Sequence, residues 1–287
     1  MPPLPSHLNA STIASATLKN GEILLEARDL KKSYRRGGGV FSSETEGKRF
    51  TAVDSVSLIV QRGETFAVVG ESGCGKTTLA RMLLRLIEPD AGELRFEGKD
   101  LLGLRGAELC GERRQMQMVF QDPFASLDPR MRVGEIVGEP LAIHHAELSR
   151  TEKQERTVAM LQRVGLGADS LCRYPHEFSG GQRQRIGIAR ALILRPKLVI
   201  ADEPVSALDV SVGAQVLLLL QELQSELGLT YVFISHSLPV VAQIATRIAV
   251  MRSGRFVELG SAEQILHQPS DVYTRELLAA VPAVPGH

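Results

Sequence analysis

Residues Gly70-Glu71-Ser72-Gly73-Cys74-Gly75-Lys76-Thr77 constrain this chain more than any other stretch. They match G-x-x-x-x-G-K-[ST], a loop that cradles phosphates. The flanking sequence is what such a loop requires. Thr65-Phe66-Ala67-Val68-Val69 is a short apolar, partly β-branched run that reads as a buried parallel strand. Thr78 to Leu86 follows with apolar positions at helical spacing. Strand, glycine-rich loop and helix N-terminus together aim backbone N–H groups at one point, which suits a polyphosphate. The glycines permit positive φ and close backbone approach. Lys76 is expected to reach the β and γ phosphates, and the Thr77 hydroxyl to hold Mg²⁺. Gly70, Glu71, Ser72, Gly73, Cys74, Gly75 and Thr78 complete the expected cradle, with ATP and Mg²⁺ as the cofactors.

The rest of the chain alternates strands with helices, which predicts a parallel sheet flanked by helices. Before the loop, Ile23 to Leu30 reads as an edge strand, Arg35 to about Lys48 as a flexible loop, and Phe50–Val53 with Val56–Val60 as a strand pair. Glu88-Pro89-Asp90-Ala91-Gly92 stops the first helix. Glu93 to Gly98 and Gln117 to Phe120 read as further strands. From about residue 122 the pattern becomes helical, with breaks at Pro129, Pro140, Gly165 and Gly167, and predicts a helical insertion to about 180. An amphipathic helix over Gln182–Leu194, a buried strand over Leu198–Ala201 and a long helix over Val212–Leu227 come next. Then follow a strand over Thr230–Ile234, a short helix over Leu238–Ala245, a hairpin over Ile248–Leu259 and a capping box at Ser261 to Gln264. Residues 1–22 read as a disordered leader, and 269–287 as a short extension with one helical stretch, Tyr273 to Ala280.

Polar residues follow three separate apolar strands: Gln121, Asp202-Glu203 and His236. Open α/β sheets bind ligands at the carboxyl ends of their strands. A phosphate-loop site needs a carboxylate there to hold Mg²⁺, and Asp202 fits. Glu203, one residue on, is placed to polarise an attacking water as general base. The plain alternative for Asp202-Glu203-Pro204 is a strand-to-loop turn. His236 is a candidate to meet the γ-phosphate or orient the water, and Gln121 a candidate ligand for Mg²⁺ or water. Ser179-Gly180-Gly181-Gln182 is a second anion-binding device, a hydroxyl and glycine amides at a helix N-terminus. A simple N-cap is the alternative there. One ATP in one subunit does not need both devices. The economical solution is a head-to-tail pair of chains with ATP between the loop of one and Ser179 of the other.

Taken together these motifs resemble the ATP-binding cassette of ABC transporters, from about residue 23 to 268. Gly70 to Thr77 is similar to the Walker A motif, Gln121 to the Q-loop, and Ser179 to Gln182 to the signature motif. Leu198 to Asp202 is similar to Walker B and Glu203 to the catalytic glutamate. Ser206-Ala207-Leu208-Asp209 is similar to the D-loop, and His236 to the switch histidine. Tyr34 stands where the family has an aromatic residue that stacks on adenine. Ser237 departs from the aspartate that relatives often carry after the histidine. The implied fold is α/β: a P-loop NTPase (RecA-like) parallel sheet core with an antiparallel β-subdomain and the helical insertion.

Gln121-Asp122-Pro123-Phe124-Ala125-Ser126-Leu127-Asp128-Pro129-Arg130 and the tail from Val272 to Pro282 resemble the oligopeptide, dipeptide and nickel importer branch. That resemblance implies an ATPase driving import of peptides or a related small solute. It also implies a second ATPase chain, two integral membrane permeases, an extracytoplasmic solute-binding protein, and a place on the cytoplasmic face of the inner membrane. Some relatives carry a cysteine cluster in this extension, whereas this chain has no cysteine after Cys172.

Composition narrows the alternatives. Lys plus Arg and Asp plus Glu both number 33, unlike the basic domain of a dedicated nucleic-acid binder. Cys74, Cys110 and Cys172 lie far apart without C-x-x-C spacing, so neither a disulfide framework nor a zinc site is expected. No apolar run approaches 18 residues, and no signal peptide opens the chain. A soluble ABC ATPase working on DNA or ribosomes, and a cassette of an exporter or another importer, stay as alternatives. A P-loop kinase needs neither the signature serine nor the D-loop.

Overall fold

The computed structural model describes residues 21–35, 49–122 and 126–280. Most of the expected leader, the glycine-rich loop over 36–48, residues 123–125 and the tail beyond 280 lie outside the described residues. The chain divides into two compact units, Met1–Leu104 with Ile234–His287, and Arg105–Phe233.

The first unit opens with two long strands, β1 (Ile23–Arg35) and β2 (Arg49–Gln61), antiparallel to each other. After β3 (Thr65–Val69) and α1 (Lys76–Leu83) come β4 (Ala91–Phe96) and β5 (Lys99–Asp100). They extend the antiparallel sheet in the order β2-β1-β4-β5. Three sequence expectations change here. β1 is an interior strand, paired with β2 on one side and β4 on the other, and its Leu24, Leu25, Ala27 and Leu30 are all buried. Phe50–Val53 and Val56–Val60 form one continuous strand, with the positive φ of Ser55 (53°) absorbed as an irregularity rather than a turn. Helix α1 ends sooner than expected, since Arg85 adopts a left-handed φ of 52°.

The second unit begins with α2 (Gly106–Arg114) and β6 (Met116–Val119). The sequence pattern gave no hint of α2, a nine-residue helix that buries only Leu109 and Glu112. Helices α3 (Val133–His144), α4 (Arg150–Arg163) and α5 (Gly180–Leu192) follow and pack against one another, with Ile136, Val137, Leu141, Leu161, Ile188 and Leu192 among their buried side chains. Pro140 sits inside α3 instead of breaking it. Arg190 of α5 donates to Glu139 of α3 at 2.7 Å and to Ser126 O at 2.9 Å, which ties the bundle to the segment after Gln121. β7 (Leu198–Asp202) runs parallel to β6 and is buried at every residue. α6 (Val210–Leu227) is closed by Gly228 in the left-handed region, a normal glycine C-cap.

Strand β8 (Thr230–Ser235) is wholly buried and leads from the second unit back into the first. There α7 (Leu238–Ile244), β9 (Arg247–Arg252), β10 (Arg255–Ser261), α8 (Ala262–His267) and α9 (Val272–Ala279) complete the described residues. β9 lies parallel to β3, and β10 returns antiparallel to β9 through Ser253 and Gly254, both at positive φ. That two-residue turn matches the right-handed twist of a hairpin, as its sequence predicts. Arg247 binds this part to β2, donating to Ile59 O at 3.1 Å and to the Glu64 carboxylate at 3.2 Å. Burial pushes the Glu64 carboxyl up against the pull of the Gln61 amide and Arg247. Among the described residues no helix is long and apolar enough to cross a membrane.

Candidate functional site

The phosphate loop links β3 to α1 within the first unit. Gly70, Gly73 and Gly75 have φ of 155°, 80° and 114°, a region that L side chains rarely adopt. Two of them are also enclosed. A Cβ at Gly70 would fall 2.1 Å from Met251 O, and one at Gly75 the same distance from Ala52 O. The loop is therefore pressed against β9 on one side and β2 on the other. Gly75→Ala is expected to destabilise the fold by roughly 2–4 kcal/mol through combined φ strain and collision. Thermal unfolding checks this, and an unaltered midpoint would contradict the enclosure.

Lys76 is 5% exposed. Its amine donates to Gly70 O at 2.7 Å and Glu71 O at 2.9 Å, and lies 3.9 Å from Cys74 Sγ. It makes no ion pair with a carboxylate among the described residues. A buried ammonium surrounded by carbonyls and no anion is an incomplete pairing that a phosphate completes. The donor set thus fits a polyphosphate. Outside the loop, Tyr273 of α9 accepts the Glu71 N–H at 3.3 Å, and Gly254 N donates to Cys74 O at 2.8 Å.

Cys74 is buried at the loop, and burial pushes its thiol up despite the nearby Lys76 ammonium. Cys110 and Cys172 are exposed. Iodoacetamide near neutral pH is therefore expected to modify Cys110 and Cys172 first, with the slow reaction at Cys74 suppressed further by ATP. Peptide mass spectrometry over time reads the order. Cys74 labelling as fast as Cys110, or indifferent to ATP, would count against the cradle.

Also in the first unit, Tyr34, next to the last residue of β1, is exposed, with Lys32 Nζ 5.9 Å from its ring centroid. Such a ring has a face open to stacking. His236 is exposed and directly follows β8, where Ser237 N donates to Ser235 Oγ at 2.9 Å.

In the second unit the structure brings two of the candidates together. Gln121 Nε2 donates to Glu203 Oε2 at 2.9 Å. Asp202, the last residue of β7, is buried at 3% exposure. Glu203 has φ of 48°, a left-handed conformation unusual for a residue with a side chain. Strain of this kind costs on the order of 1–3 kcal/mol and persists only where the surroundings impose it. Nothing in the sequence signalled it, since glutamate carries no preference for that region.

Ser179 to Gln182 forms a capping box. Ser179 Oγ accepts from Gln182 N at 3.3 Å, and Gln182 Oε1 accepts from Ser179 N at 3.0 Å. α5 consequently starts at Gly180, two residues before the sequence pattern placed it. Gly181 has a packing reason as well, because a Cβ there would meet Val212 Cγ1 at 2.3 Å. Asp209 caps α6 by accepting from Val212 N at 3.0 Å, and that bond with Ser211 holds its carboxyl below the usual range. Ser179 and Asp209 are each engaged with their own helix ends, and Gly180 and Gly181 present the first amides of α5. Among the described residues no cluster of His, Cys, Asp and Glu forms a metal site on its own.

Comparison with known proteins gives a consistent picture. A family model described as ABC transporter matches residues 53–206. The oligopeptide transport ATP-binding protein OppF of Escherichia coli strain K12 is 51% identical over 268 residues, covering 93% of this chain and 80% of that protein. The dipeptide transport ATP-binding protein DppF of Haemophilus influenzae is 51% identical over 265 residues, covering 92% and 80%. Among solved structures, a dimeric ATP-binding cassette in a post-hydrolysis state with ADP and Pi superposes with a TM-score of 0.73. It is 29% identical, and the match covers 83% of this chain and 99% of that one.

Proposed function

The chain belongs to the ABC transporter family, and we propose that it is the ATP-hydrolysing subunit of a peptide importer. It binds ATP and is an ATPase, with the fold of a P-loop NTPase cassette. The observation that carries the nucleotide reading within the molecule is the buried Lys76 ammonium, ringed by loop carbonyls without a carboxylate partner among the described residues.

Lys76 and the amides of Gly73 to Thr78 bind the phosphates, and Tyr34 stacks on the base. Thr77, Asp202 and Gln121, an oxygen-donor set of the kind that Mg²⁺ prefers, would hold that ion, which would supply charge neutralisation on the phosphates. Glu203 accepts the proton of the attacking water at its carboxylate, and the Gln121 amide orients that carboxylate. His236 donates to the γ-phosphate. Ser179, Gly180, Gly181, Gln182 and Asp209 serve the ATP held by a second cassette. The dimeric state of the related cassette with ADP and Pi supports that pairing.

The cassette covers residues 23–268, with a helical subdomain at about 122–180, a leader before it and an extension over 269–287. Its partners are a second ATPase chain, two integral membrane permeases and, indirectly, an extracytoplasmic binding protein, and the chain itself lies peripherally at the cytoplasmic face of the inner membrane. Nucleic acid is not among them. The named transport roles of OppF and DppF support peptide as the cargo. The deciding experiment deletes the gene and measures uptake of labelled di- and oligopeptides in intact cells, alongside co-purification of the tagged chain. Lost peptide uptake with recovery of two membrane proteins is expected. Intact uptake, or recovery of nucleic acid in place of membrane proteins, refutes the reading.

A further inference from the structure

The peptide group joining Gly70 to Glu71 is held at both ends. Its carbonyl accepts from Lys76 Nζ at 2.7 Å, and its N–H donates to Tyr273 Oη at 3.3 Å. The two holders differ in kind. Lys76 is the cation that the loop offers to phosphate, so its bond to Gly70 is given up when the amine turns to an anion. Tyr273 lies on α9, 202 positions away in sequence, and is no part of the loop.

Tyr273 is itself fixed. It is 4% exposed, and the Arg252 guanidinium lies 4.5 Å from its ring centroid. Asp271 caps the helix by accepting from Tyr273 N at 2.8 Å. Glu258 on β10 grips the start of α9, accepting from Ser270 N and Ser270 Oγ at 2.7 Å each and from Asp271 N at 3.2 Å. A hydroxyl on so constrained a ring has a defined position to impose. The peptide it meets needs one, because Gly70 lacks the side chain that would restrict its rotation.

The geometry points to Tyr273 as a positioning residue of the nucleotide loop: its hydroxyl keeps the Gly70–Glu71 peptide oriented for phosphate binding after Lys76 releases Gly70. The C-terminal helix thereby serves ATP binding. A packing role alone needs only the aromatic ring, and this distinction makes the assignment testable. The inference rests on the ATPase reading above.

Tyr273→Phe in the full chain removes the hydroxyl and leaves the ring and its Arg252 contact. One lost hydrogen bond of ordinary strength corresponds to a rise of about three- to tenfold in the Kd for ATP. The thermal midpoint without nucleotide is expected to stay within about 2 °C. KM for ATP rises to match, and kcat at saturating ATP is unchanged. Unchanged ATP affinity, or a fall in kcat with KM retained, overturns the assignment. If Tyr273→Phe fails to fold, Ser270→Ala carries the test by loosening the grip of Glu258 on α9. Weaker ATP binding then supports the assignment and unaltered binding overturns it. A parent chain that binds no ATP refutes the function reading instead, whereas equal binding by parent and Tyr273→Phe refutes this inference alone.

Discussion

Glu203→Gln is expected to retain ATP binding and lose at least about 100-fold in turnover, the lower range for removal of a general base. The amide has the size of the carboxylate but cannot take the proton of the attacking water. Its oxygen can still accept from Gln121 Nε2, so the 2.9 Å hydrogen bond and the local conformation survive. The backbone at φ 48° is equally demanding for Gln and Glu, so stability is expected to change by less than about 1 kcal/mol. The effect then falls on kcat, not on nucleotide affinity. Steady-state phosphate release together with equilibrium ATP binding measures both. Turnover within tenfold of the parent would remove Glu203 from the role of base.

Lys76→Ala acts on the other quantity. The substitution removes the ammonium that matches the phosphate charge and leaves the Gly70 and Glu71 carbonyls without their donor. Hydrogen bonds to charged groups contribute about 1.5–3 kcal/mol each, so ATP affinity is expected to fall by roughly 10- to 150-fold. Lys76→Arg is not expected to rescue it, because Lys76 is buried at 5% exposure and a planar guanidinium does not fit the same enclosure. Titration with a fluorescent nucleotide reads the loss. Affinity equal to the parent's in Lys76→Ala would break the link between the buried ammonium and the nucleotide. The comparison with Tyr273→Phe is informative, since both substitutions touch the Gly70–Glu71 peptide and only one removes charge.

The parts of this molecule that were legible in the sequence are those written in local chemistry. The phosphate loop has its glycines where positive φ and close backbone contacts require them. The Ser261 capping box marks its helix by residue types three positions apart and forms, whereas Ser179, read from sequence as an anion-binding device with a simple N-cap as the alternative, proves to cap α5. The β9–β10 turn is announced by Ser253-Gly254. The parts that were not legible depend on partners distant in sequence. β1 looked like an edge strand because its alternation reports one buried face and says nothing of a neighbour at each side. α2 lacks an apolar stripe, so periodicity could not reveal it. The left-handed φ of Glu203 and the contact of Tyr273 with Glu71 arise from tertiary packing and have no counterpart in residue spacing. Gly181 had a reading as an anion-binding amide, while its closeness to Val212 was invisible until α5 and α6 were placed.

The position of β9 beside β3 also sets an order of events during synthesis. The strand that delivers the phosphate loop pairs with residues that the ribosome adds much later. Thr246, which donates to Thr65 O, lies 181 positions downstream, and Tyr273 lies 202 positions beyond Glu71. At the usual elongation speed of about 5–20 residues per second, the loop waits on the order of 10–40 seconds for these neighbours. During that interval the nascent chain carries the nucleotide motif without the Met251 backbone that leaves room only for glycine at position 70. The motif is encoded in the first third of the chain, yet the loop is completed only as the last of the described helices is made.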